Sequence, residues 1–98
     1  MASGIVRSGD KYVITHKSVT LNLSTAASGS VTTATGIDSD LYDVYCVSVG
    51  TLGTTNTQYA TIYFSCTISG NTATISAVRQ TTGSISPTVQ CVFMGIHK

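Results

Sequence analysis

Glutamate and tryptophan are both missing from this chain, and charge of either sign is scarce: five Lys or Arg and four Asp among 98 residues. That is about a third of the charged share of an ordinary soluble domain. A small free domain usually relies on a well-charged surface and a net charge well away from zero, whereas here the net charge is +1. Either a hydroxyl-rich surface suffices for solubility, or much of the surface is covered by copies of the chain or by another protein. The second is the expectation. The same scarcity argues against nucleic-acid binding, which needs a basic stripe. Arg7, Lys11 and Lys17 gather near the start, but Asp10 interrupts them, and they read as a solvated end.

Catalytic groups are equally few. A hydrolase needs a nucleophile, a base and an orienting group; the histidines are His16 and His97, and no G-x-S-x-G elbow occurs. The acids Asp10, Asp38, Asp40 and Asp43 include no pair of protected carboxylates of the glycosidase type. The run Asp38-Ser39-Asp40-Leu41-Tyr42-Asp43 offers oxygens to a calcium ion, yet it lacks the Gly and terminal Glu of an EF-hand loop. Turn capping explains these acids more simply. Phosphate-cradling Gly loops are absent. Cys46, Cys66 and Cys91 each sit in an apolar run without a CxxC pair, and read as small buried hydrophobes. The expectation is no enzyme, no cofactor and no metal. MASGIVRSGDKYVI lacks the apolar core of a signal peptide and no membrane segment is visible, which with free thiols fits synthesis in a reducing cytoplasm. The sequon Asn22-Leu23-Ser24 then reads as chance.

What is abundant is hydroxyl: 13 Ser and 17 Thr, with nine Gly beside them. Thr is β-branched and Ser and Gly favour turns, so the bias is towards strands and tight connections. Residues 1–10 are polar and aperiodic and read as a flexible N-terminal arm, followed by one domain over 11–98. Within it, Tyr12 to Lys17 is a short strand, and Val19, Leu21 and Leu23 alternate with Thr20, Asn22 and Ser24. Further strands are expected at Val31–Thr35, Tyr42–Val49, Tyr59–Ile68, Thr72–Val78 and Thr88–Ile96, with Ser69-Gly70-Asn71 as a hairpin turn. About seven strands and no helix predict an all-β fold, an antiparallel two-sheet sandwich.

Two strands are apolar on both faces. Tyr45, Val47 and Val49 on one, and Val92, Met94 and Ile96 on another, have no obvious cover in a two-layer fold. If the strands are neighbours, these side chains form one apolar patch, the mark of an interaction surface. They are the candidate oligomer interface. A weaker candidate is a glycan site: Tyr59 and Tyr63 lie among Thr and Gln on an outward face, although an exposed Tyr between Thr residues is also simply good strand former.

The stretches Ser18-Val19-Thr20-Leu21-Asn22-Leu23 and Val89-Gln90-Cys91-Val92-Phe93-Met94-Gly95-Ile96, set in a charge-poor Ser/Thr/Gly chain, resemble small bacteriophage virion β-sandwich proteins of the decoration or tail-fibre and baseplate type. The layout is also similar to H-type-lectin-like trimers, whose last apolar strand ends Ile-Gly after a Trp; here the order is Gly95-Ile96, with Phe93 as the aromatic residue. The resemblance implies a homo-oligomer, often a trimer, fixed among other virion proteins, that stabilises the particle or presents a host-binding face. It implies location in the virion after synthesis in the host cytoplasm. The alternative is a lectin-like module recognising cell-surface glycans. A bacterial appendage subunit would share the composition but carry an export signal. Nucleic acid and membrane are not expected partners.

Overall fold

The computed structural model describes residues 11–23, 27–51, 62–79 and 85–98; the expected arm over 1–10 lies outside them. The described residues form six strands: β1 (Tyr12–Thr20), β2 (Ser28–Ala34), β3 (Tyr42–Gly50), β4 (Ile62–Ser69), β5 (Thr72–Arg79) and β6 (Thr88–His97). They make two antiparallel sheets, ordered β1-β6-β3 and β2-β5-β4. The predicted all-β, two-sheet antiparallel sandwich is the fold observed. Only β4 and β5 are consecutive neighbours in one sheet; every other connection passes to the opposite sheet.

The two short strands expected over Tyr12–Lys17 and Val19–Ser24 are one. The β1–β6 ladder runs unbroken from Tyr12 opposite Ile96 to Thr20 opposite Thr88. Backbone pairing then continues: Leu21 N–H donates to the Pro87 carbonyl at 3.0 Å, and Leu23 and Ile85 exchange bonds at 2.8 and 2.9 Å. Ser18 does not interrupt the strand because its side chain points outward, where its hydroxyl donates to Gln90 Oε1 at 2.6 Å.

Alternation along each strand supplies the core. Val13 on β1, Tyr42 on β3, Ile62 on β4, Ala73, Ile75 and Ala77 on β5, and Val89, Cys91 and Phe93 on β6 are buried. Leu21, Leu23 and Ile37 close the same cluster from the connections. Two threonines are built into it. Thr15 Oγ1 donates to the Thr35 carbonyl at 2.6 Å, and Thr35 Oγ1 accepts from the Ile37 N–H at 3.2 Å, so the hydroxyls are not left to bear the cost of burial alone.

Two glycines have fixed roles. At Gly95, on the inward side of β6, an added Cβ would meet Ile37 Cγ2 and Val13 Cγ2 at 2.9 Å and Tyr42 Cβ at 3.1 Å, so hydrogen at this position leaves room for Ile37 of the β2–β3 connection between the flanking side chains of β1 and β3. Gly70 (φ +61°) opens the two-residue turn between Ser69 and its partner Thr72. With no described non-glycine residue at positive φ, the turn has the Gly-first form suited to the right-handed twist of a hairpin.

Candidate interaction surface

Because β6 lies between β1 and β3, each outward β6 residue has an outward neighbour on both sides. The pairing sets the rows as Tyr12–Ile96–Asp43, Ile14–Met94–Tyr45, His16–Val92–Ser48 and Ser18–Gln90–Gly50. The two strands singled out by their double-sided apolar pattern are therefore adjacent, and Tyr45, Val92, Met94 and Ile96 share one outer face. Val47 joins them through a bulge. Pairing slips between Cys46, opposite Phe93, and Ser48, opposite Val92, so Val47 is the extra residue of β3 and stands exposed.

The bulge also corrects one residue. Val49 was grouped with Tyr45 and Val47 on the outward face, but the inserted residue reverses the alternation after it. Val49 pairs with buried Cys91 and packs against the core. Two residues that belong to the surface were missed: Tyr12 and Ile14, on the flanking strand β1. Their signal was present in the sequence, since Tyr12-Val13-Ile14 is an uninterrupted apolar run at the start of a strand.

Tyr12 is 60% exposed, Ile14 70%, Tyr45 51% and Val47 58%, while Val92, Met94 and Ile96 are half-buried beneath them. Together these side chains expose on the order of 600 Å² of largely apolar surface, at the upper end of the roughly 300–600 Å² that the largest patch of a monomer reaches, a size at which such patches are often functional. Charge borders the patch at one end. Asp43 is exposed in the first row, and Lys11 Nζ lies 5.7 Å from the centre of the Tyr12 ring.

The outer face of the other sheet is of a different kind. Its rows are Ser28–Val78–Tyr63, Ser30–Ser76–Ser65, Thr32–Thr74–Thr67 and Ala34–Thr72–Ser69, so it is dense in hydroxyls and carries no charge. Tyr63 stands 71% exposed at one end beside exposed Val78. Tyr59, its proposed companion in a glycan site, lies outside the described residues.

The remaining groups with chemical potential serve the fold. Asp38 Oδ1 accepts from the Asp40 N–H at 2.9 Å, and the Asp38 carbonyl accepts from the Leu41 and Tyr42 N–H groups at 3.1 and 3.0 Å. Asn71 Oδ1 accepts from the Ser39 N–H at 2.8 Å, tying this turn to the β4–β5 hairpin. Asp43 is separate, out on the β3 face. Among the described residues no group of three or more His, Cys, Asp or Glu is placed to hold a metal ion. Cys46, Cys66 and Cys91 are free thiols that influence one another in the interior. Burial, followed by a hydrogen bond and charge interaction with Cys46 and then the charge interaction with Cys91, pushes Cys66 up to about 12. Burial, then Cys46, raises Cys91. A thiol held protonated is a poor nucleophile and a poor ligand. His97 packs edge-on to Tyr42, with ring centres 5.0 Å apart, at the end of the sandwich away from His16.

No family model, curated protein or solved structure matches the chain. What is established is a small antiparallel two-sheet β-sandwich, an architecture compatible with virion modules and with many other proteins.

Proposed function

We propose that this protein is a non-enzymatic structural component of a phage-type virion, a capsid decoration or tail-fibre module, that self-associates through the outer face of β1-β6-β3 and so stabilises the particle or presents a host-binding surface. The observation that carries this reading is the three-strand apolar face on a protein with almost no charge to keep it apart from its neighbours. Covering that face would remove it from water at roughly 25 cal/mol per Å², part of which is spent on lost translational and rotational freedom.

Native mass and light scattering across a dilution series test the self-association. A closed assembly at micromolar concentration is expected for the wild type, and a folded monomer for the double variant Val92→Lys, Met94→Lys. A wild-type monomer at every concentration sinks the reading, and an unaltered assembly in the variant sinks this face as its seat. The virion assignment is tested by mass spectrometry of particles purified from the source of the gene. The chain should be present in a fixed ratio to the coat proteins, and its absence removes that assignment.

A second reading is favoured by one observation, the 71% exposure of Tyr63 on a charge-free hydroxyl face. A ring of this kind suits stacking on a neutral sugar, with neighbouring Ser and Thr groups to meet its hydroxyls. Retention on a glycan array that disappears in Tyr63→Ala would support it; no retention across a broad panel removes it.

A further inference from the structure

Resting on that self-association, we infer that the occupant of the apolar face is a second copy of the chain, laid face to face about a two-fold axis that runs along β6. Three features select this arrangement. The first is that β6 is the middle strand of its sheet, so an axis along it brings Val92, Met94 and Ile96 against the same three residues of the other copy. A self-complementary patch of this kind is what a two-fold interface requires.

The second is the gradient along the face. The rows Tyr12–Ile96–Asp43 and Ile14–Met94–Tyr45 are at its apolar end, and Ser18–Gln90–Gly50 and Thr20–Thr88 at its polar end. Rotation about β6 keeps like end on like end, so apolar rows cover apolar rows over their whole length. The approximate 600 Å² of exposed apolar surface, with a polar rim added, approaches the roughly 800 Å² per partner of a stable complex. The other broad face, with its rows of Ser and Thr, offers only Tyr63 and Val78 at one end as an apolar counterpart.

The third is charge. At the apolar end the β1 edge carries the Lys11 ammonium, beside the Tyr12 ring, and the β3 edge carries Asp43, joined to Tyr12 through Ile96 in one row. An axis along β6 lays β1 of one copy over β3 of the other. Lys11 of each copy then faces Asp43 of its mate, giving two equivalent ion pairs at the rim. An axis across the strands would instead set β1 on β1 and leave Asp43 against the Val47–Ser48 region with no cation, a desolvated charge without a partner.

Charge reversal tests the axis. Dissociation constants are measured by sedimentation velocity for the wild type, Lys11→Asp, Asp43→Lys and the combined variant. Each single reversal creates two like-charge contacts and should weaken the dimer by about 10-fold, with the combined variant returning to within about three-fold of the wild type. A short bis-maleimide should also join two copies of Met94→Cys, whose position lies on the axis, and not two copies of Thr74→Cys on the opposite face. Singles indistinguishable from the wild type, or singles and combination weakened alike, overturn the axis while leaving self-association in place. A wild-type trimer or larger ring does the same. A wild-type monomer at all concentrations defeats the self-association reading itself.

Discussion

The two outer faces of this sandwich are made by the same kind of strand, in sheets of equal strand number, and differ almost wholly in side-chain chemistry. On β2-β5-β4 the outward positions are filled with Ser and Thr, with no charged residue and large apolar side chains at one end only. On β1-β6-β3 the corresponding positions hold Tyr, Ile, Val and Met, with Ser and Thr confined to one end. Charge is absent from the first face and limited on the second to Asp43, with Lys11 at the same end, but the hydroxyl face stays hydrated at little cost whereas the apolar face does not. Low charge in this chain therefore has two separate consequences, a neutral wet surface on one side and a sticky one on the other.

The largest change is expected where the layer beneath both faces is disturbed. Gly95→Val forces methyl groups onto Ile37, Val13 and Tyr42, and should lower stability by about 3 kcal/mol in urea unfolding, from overpacking. A matched pair of substitutions separates the faces. Met94→Lys and Thr74→Lys both place a cation on the outward side of a middle strand. The first should weaken association at least about 100-fold through a buried, unpaired charge, and the second should leave the assembly state as it was, both read by native mass. Deleting Val47 sharpens the contrast further. Removal of the bulge residue restores regular pairing with Val49 still inward, so the fold should persist while association weakens several-fold through loss of one exposed apolar side chain.

The smallest effect lies inside the sandwich. The Cys66 thiol is raised from its ordinary value of 9.0 to about 12 in the folded protein, so between these limits the unfolded chain binds fewer protons than the folded one. Linkage then makes the thiol's contribution complete below pH 9 and progressively lost as the pH rises towards 12. Urea midpoints should fall from pH 8 to pH 10.5, and Cys66→Val should flatten part of that slope.

Much of the sandwich was legible because its strands obey a period of two. The alternation of Ile62, Phe64, Cys66 and Ile68 against Tyr63, Ser65 and Thr67 is visible in the sequence and is the alternation of β4 in space. The turn at Gly70-Asn71 was legible for the same local reason. Long-range order was not. Nothing local reveals that β1 flanks β6, and so Tyr12 and Ile14 could not be joined to Met94 and Ile96. The bulge at Val47 was hidden too, because one inserted residue leaves the composition of β3 unchanged while reversing the direction of Val49. Arg79 is a further case: a cation at the end of β5 that the fold buries to 3% exposure, although long polar side chains are ordinarily expected outside.

The position of β6 also bears on how the molecule is made. Among the described residues it is the last of six strands in chain order and the middle one of its sheet, so β1 and β3 emerge from the ribosome before the strand that joins them. At ordinary synthesis rates the interval from the end of β3 to the end of β6 is about 2–10 s. During it, the hairpin of β4 and β5 closes from neighbouring residues, while Tyr12 and Ile14 have no ladder to align them with Tyr45. The apolar face thus comes into being in a single late event, when β6 inserts between two waiting strands. Until then Tyr12, Ile14, Tyr45 and Val47 sit on strands that have no partner in their sheet, and unpaired strands with exposed apolar side chains are where unfinished chains associate wrongly.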